Sequence, residues 1–199
     1  MNTLVPERAW PMAIALVFCL TAAVSLRAQG DDTPALYTDQ DMMFLVNMIA
    51  HHQQAVAMAA LVPGRDVPEE FTGFTEQVGR GQAAEIRMMN ALLDLAESRG
   101  LTTPMRHMDH AHHQMDGMLT PEQMQALAAA EGEEFLRLWL EGMIYHHKGA
   151  ITMANAQQVH QLDTGRRPYG MDVLVEEIIV VQRAEISMME QWLNEWGLR

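Results

Sequence analysis

Four of the chain's nine histidines stand in two adjacent pairs, His51-His52 in "MIAHHQQAVAMA" and His146-His147 in "MIYHHKGAITMA". Each pair is followed later by a second repeated stretch, "QAAEIRMM" at 82–89 and "QRAEISMM" at 182–189. Imidazole can hydrogen-bond, carry a proton, or ligate Cu, Zn, Fe and Ni; a thioether adds a preference for Cu(I). A carboxylate can anchor an imidazole N–H or offset the charge of a bound cation. The repeated set His51, His52, Glu85, Met89, His146, His147, Glu185 and Met189 is therefore a candidate metal-ligating set.

A second candidate lies between the repeats. In "LTTPMRHMDHAHHQMDGM", residues 101–118, the donors His107, Met108, His110, His112, His113 and Met115 crowd together. No core periodicity calls for them, and a solvated linker needs neither His nor Met. Their composition favours metal binding. The 18 methionines divide: Met48, Met58, Met143 and Met153 lie on apolar stripes that packing explains. Of the Met-Met pairs at 88–89 and 188–189, one member each can be central, and packing accounts for these better than ligation. His160 stands alone and reads as plain surface.

Composition excludes other chemistries. The only cysteine, Cys19, lies in an apolar leader that runs from Ala9 to Leu26 between Arg8 and Arg27. That leader reads as a signal peptide over 1–28, with an uncleaved inner-membrane anchor as the alternative. The expected location is periplasmic or secreted. Without the leader the chain holds no thiol, so soft-metal chemistry must use Met and His. A net charge of -13 repels nucleic acid and anionic membranes. After the leader there are two serines, Ser98 and Ser187, in no nucleophile elbow, and no glycine loop that could cradle phosphate.

Helices must position these groups. Residues 29–37 read as a flexible start, and Thr38 with Asp41 resembles a capping box. A helix from there should end near "VPGRDVP", 62–68. A second should run from Glu69 to Gly100, with Gly73, Gly79 and Gly81 weakening its first half. After a linker at 101–120, Thr120, Pro121 and Gln123 start a short helix ending near Gly132. A third long helix is expected over 133–160 and a fourth over 171–197, with a break at 163–170. No stretch alternates like a strand. The chain is thus all-α: two repeated hairpins, 38–100 and 121–199, forming one four-helix bundle over 38–199 with a short extra helix.

At about 100° per residue, His51 and His52 flank the centre of the buried stripe, with Met48 below and Ala55 above. The midpoint of His52 and Glu85 falls at the first break, and that of His147 and Glu185 falls at Arg166 in the second. Residues equidistant from a turn share a level, so each His pair should face its own hairpin's glutamate. Packed about a pseudo-twofold axis, four imidazoles and two carboxylates would meet in one layer. Two readings stay open. The layer is a buried hydrogen-bond staple that fixes register, or it is a metal site in the bundle core. It lacks the Glu-x-x-His spacing of di-iron carboxylate bundles.

With its doubled Met-Ile-x-His-His-x-x-Ala-x-x-Met-Ala and Gln-x-x-Glu-Ile-x-x-Met, the chain resembles the bacterial domain-of-unknown-function family three hundred and five over roughly 39–195. The resemblance implies an exported, ferritin-like four-helix bundle with some relatives linked to copper. It carries site roles to His51, His52, Glu85, Met89, His146, His147, Glu185 and Met189. One departure is Lys148, where the first repeat has Gln53; a lysine there opposes a cation unless it points outward.

The expected function is copper binding for buffering, sequestration or handover, with another transition metal possible and a metal ion as the partner. Membrane association is expected only if the leader is retained. Catalysis is not the favoured reading. The alternatives are a ferritin-like redox enzyme using the His/Glu layer and a metal-free structural or interaction module.

Overall fold

A computed structural model describes residues 37–101 and 115–199. The leader and the donors His107, Met108, His110, His112 and His113 lie outside the described residues. The described chain forms helices α1 (Asp39–Ala59), α2 (Glu69–Ser98), α3 (Pro121–Ala129), α4 (Gly132–Thr164) and α5 (Met171–Glu195). Among the described residues there are five helices and no strand.

Local chemistry sets most boundaries. Thr38 caps α1, and Asp41 returns the bond to the Thr38 N–H at 2.6 Å, a complete capping box. Thr120 and Gln123 form the same box ahead of α3, with Pro121 in the first turn. Gly165, at φ +63°, ends α4 in the left-handed conformation that glycine adopts without strain. α4 thus reaches Thr164, four residues beyond the expected end, because nothing before Gly165 breaks it. The three glycines inside α2 do not interrupt it. A Cβ at Gly79 would lie 3.1 Å from that of Ala59, so this glycine lets α1 and α2 approach closely.

α1 packs on α2 and α4 on α5, and α1 meets α4 to join the hairpins. The apolar interior is split in two. One cluster holds Ala55, Met58, Phe71, Val78, Trp139, Met143, Met189 and Trp192. The other holds Leu45, Met48, Met89, Leu93, Ala150, Met171 and Ile178. α1 passes from the second cluster at Met48 to the first at Ala55, and α4 passes from the first at Met143 to the second at Ala150. What lies between, on both helices, is a histidine pair. The same crossing on α2 and α5 carries Gln82 with Glu85 and Gln182 with Glu185.

The ends of the bundle are tied by polar groups. Arg65, in the first loop, donates to Leu61 O at 2.6 Å, Ala130 O at 2.5 Å and Ala128 O at 2.8 Å. Its guanidinium also sits 3.9 Å over the Phe135 ring. At the opposite end Asp41, 1% exposed, accepts from Gln157 Nε2 and from Thr38. His160 reaches Thr38 Oγ1 at 2.9 Å. This corrects the reading of His160 as plain surface: it links the end of α4 to the cap of α1. Thr38→Ala should therefore remove a helix cap and an inter-helix tie together, costing about 1–2 kcal/mol. The check is a lower urea midpoint at unchanged m-value.

Candidate metal centre

The histidines sit where the helical period puts them, on the faces of α1 and α4 turned inward. All four are 0% exposed. His52 Nε2 donates to Glu85 Oε2 at 2.7 Å, and His147 Nε2 donates to Glu185 Oε2 at 2.7 Å. The two hairpins thus make the same bond in the same place, as the turn midpoints require. Both glutamate side chains are 13% exposed, so each bond is largely shielded from water.

The other two rings lie at the centre. His51 and His146 face each other across α1 and α4 with ring centroids 3.8 Å apart and planes tilted by 41°. Neither meets a carboxylate. His146 Nε2 donates to the His51 carbonyl at 2.9 Å, and His51 Nε2 donates to the Asp116 carbonyl at 3.0 Å. Burial, reinforced by neighbouring imidazoles, pushes the His51 ring down to about 3 and the His146 ring well below its ordinary value. Both are neutral at physiological pH.

Asp116 belongs to a segment that closes over the layer. A Cβ on Gly117 would lie 2.7 Å from the His146 carbonyl, and a Cβ on Gly149 would lie 2.0 Å from the Asp116 carbonyl. Two glycines therefore let two backbones touch. One step on, Gln54 grips Leu119 from both sides: Nε2 donates to Leu119 O at 2.9 Å, and Oε1 accepts from Leu119 N at 2.7 Å. Gln54 and Gly149 occupy equivalent places in the two histidine repeats. One holds the segment with an amide, the other admits it by having no side chain. Composition marked the segment through Met115, which is half-buried, but gave no sign of the Asp116 contact, because a carbonyl has no sequence signature.

The remaining candidates are placed as follows. Met89 and Met189 are 0% exposed and lie in the two separate apolar clusters. Met188 is 42% exposed, so one member of that pair is central and the other is not. Lys148 points outward to Glu190, 3.2 Å away, and does not oppose charge in the layer. Glu177 was not anticipated: burial and the charge of Glu85 raise its carboxyl, whereas the equivalent place in the first repeat holds Gln77.

The layer is rich in unmet polar groups. The Nδ1 atoms of His51, His52, His146 and His147 are buried without hydrogen-bond partners, as are Gln82 Oε1 and both amide atoms of Gln182. Buried polar atoms in folded proteins nearly always find protein, water or an ion. Among the described residues, no three His, Cys, Asp or Glu side chains are grouped to hold a metal ion. The donors present are imidazole nitrogens that need no deprotonation, which suits a transition metal and not Mg or Ca.

The profile of the domain of unknown function DUF305 matches residues 41–193, and the chain belongs to that family. A DUF305 fragment from Deinococcus radiodurans is 30% identical, with a TM-score of 0.67, over 81% of this chain and 99% of that one. A putative secreted DUF305 protein from Streptomyces coelicolor is 29% identical, with a TM-score of 0.64, over 80% and 94%. CopM in its Cu(II)-bound form is 30% identical, with a TM-score of 0.61, over 81% and 99%. CopM has also been solved in Cu(I)-bound and Ag-bound forms. A search of curated proteins gives no match. Among the described residues, no helix is long and apolar enough to cross a membrane.

Two outcomes are expected of the apo protein. Gly149→Ala should cost about 1–3 kcal/mol despite alanine's better helix propensity, because its methyl meets a backbone carbonyl and not a movable side chain. Faster hydrogen exchange from Gly117 to Leu119 would locate the damage. Stability should also fall on acidification. His51 is pushed down to about 3 and His146 well below its ordinary value in the folded state, so as the pH falls below about 6.5 only the unfolded chain takes up their protons. The stabilisation is complete above the unfolded value and is lost below it, by about 1.4 kcal/mol per pH unit for each ring. Urea midpoints at pH 7, 6 and 5 measure the slope.

Proposed function

We propose that this chain is an exported copper-binding protein that buffers, sequesters or hands over the metal, and that it acts in the periplasm or after secretion. The observation that carries the reading is the 30% identity, along nearly the whole of the relative, to CopM with copper bound. A donor set without thiols after the leader, yet rich in Met and His, supports it. Copper is the cargo in this reading and no reaction is required of it.

Two groups of donors are available. The segment holding His107, Met108, His110, His112, His113 and Met115 offers imidazoles and thioethers that no packing argument claims. The core layer offers imidazoles without partners. A redox enzyme needs a substrate-sized opening at the layer. The four rings there are fully buried, and the groove beside Leu119, Leu138 and Tyr145 lies against α3 instead. A metal-free staple has one observation in its favour, the engagement of both glutamates by histidines. It leaves the four Nδ1 atoms unexplained.

The experiment separates the two donor groups. Changing His107, His110, His112 and His113 to alanine should lower the copper stoichiometry of the purified protein. The folding free energy should move by less than about 0.5 kcal/mol, as for surface substitutions. Metal analysis together with thermal unfolding reads both quantities. A protein that takes up no copper before or after the change contradicts the proposed function.

A further inference from the structure

Among the described residues, half of the large apolar side chains that stand exposed are gathered at one end of the bundle. Val159 and Leu162 lie in the last turns of α4, Val173 in the first turn of α5, and Tyr169 in the loop between them. Each is more than half exposed. Residues equidistant from the turn at Arg166 share a level, which puts Val159 and Val173 at the same height. Single apolar residues scattered over a surface need no explanation, but a group gathered at one tip does.

The loop at this tip is also basic. From Thr164 to Met171 it holds Arg166 and Arg167, the chain's only adjacent arginines, and no acid. Both are exposed. Asp163 and Asp172 flank the loop, and Asp172 is turned back onto the Val173 N–H at 2.9 Å. A chain of net charge -13 thus ends on one side in a basic, apolar tip. The tip is held in shape. Gly165 and Gly170 turn the backbone at φ +63° and +78°, Pro168 is buried, and the Tyr169 carbonyl accepts from the Tyr37 hydroxyl at 2.6 Å. Side chains presented by a fixed backbone lose little freedom when they meet a partner.

Guanidinium groups pair with phosphate, and exposed aliphatic and tyrosyl side chains suit the boundary between lipid headgroups and acyl chains. The chain also enters the bundle here. Tyr37 is bonded to the tip, and the apolar run Ala9–Leu26 ends eleven positions before it, 37 − 26. At about 3.5 Å per residue that stretch reaches at most about 39 Å, so a leader lying in a membrane keeps this end of the bundle near it. We propose that Leu162, Arg167, Tyr169 and Val173 form a docking tip for the surface of a phospholipid bilayer. The guanidinium meets phosphate, and the apolar side chains enter the headgroup layer. The acidic body is repelled by the same surface, so the protein sits tip first. This docking needs no retained leader: the processed chain is a peripheral membrane protein, whichever ion it carries.

The test uses the chain processed after Ala28, whose described helices all belong to one compact unit. That chain has no cysteine. Leu162→Cys at the tip, and Gln125→Cys on α3, which Arg65 holds at the other end, therefore each take one polarity-sensitive fluorophore. The probe is vesicles of phosphatidylethanolamine and phosphatidylglycerol in about 0.15 M salt, where charge repulsion is screened beyond about 8 Å. The label at 162 should shift to the blue and the label at 125 should not. In flotation of the unlabelled chain, Tyr169→Ser/Val173→Ser should lower vesicle binding by at least about tenfold. Arg167→Gln should lower it about fivefold. All these positions are exposed, so the fold should be unaffected, which circular dichroism checks. No flotation of the unaltered chain, or an equal shift at both labels, overturns the proposal. A blue shift at 162 that follows protein concentration without vesicles makes the tip a self-association surface and overturns it too.

Discussion

The structure depends on a polar layer that cuts its apolar interior in two. Each hairpin contributes a histidine pair and a glutamate, and the two His–Glu bonds are equal at 2.7 Å. Burying a carboxylate is costly unless it is hydrogen-bonded, and breaking such a pair leaves an uncompensated buried group. A slip of α1 along α2 by one helical turn would therefore strand Glu85 and His52 together. The apolar clusters on either side tolerate some rearrangement, since methionines and leucines can repack. Hydrogen-bond geometry cannot, so the layer sets the register and the apolar clusters supply the bulk of the stabilisation.

Symmetry within the layer is broken where it matters chemically. The two Glu-bound histidines are equivalent, but His51 and His146 are not. One donates to the partner helix's backbone and the other to Asp116. The difference traces to a single pair of repeat-equivalent positions, Gln54 and Gly149. Gly149 leaves the space into which Asp116 and Gly117 fit, and Gln54 secures the next turn of that segment through Leu119. A duplicated hairpin alone would bury four rings with nothing to orient the first. The segment between the repeats supplies that orientation.

Much of this was legible in the residues themselves. The boxes at Thr38 and Thr120, the all-helical class and the facing of each His pair toward its own glutamate follow from short-range rules and from turn midpoints. Such features are local, or depend only on chain reversal. The extent of α4 to Thr164 and the continuity of α2 through Gly79 were less legible, because tertiary contact overrides the weak helix preference of single residues. The Asp116 contact with His51 was not legible at all, since it uses a backbone oxygen. The role of His160 was hidden for a related reason. Its partner, Thr38, lies far away in the chain and looks like an ordinary cap.

The chemistry of the layer turns on where the protons sit on its central rings. The most direct measurement is the nitrogen-15 spectrum of the metal-free protein at pH 7, with the four core histidines assigned. The expected result is that His51 and His146 are neutral, protonated at Nε2 and bare at Nδ1, with no exchange between tautomers. A proton on Nδ1 of either ring, or an imidazolium at either position, would contradict the account.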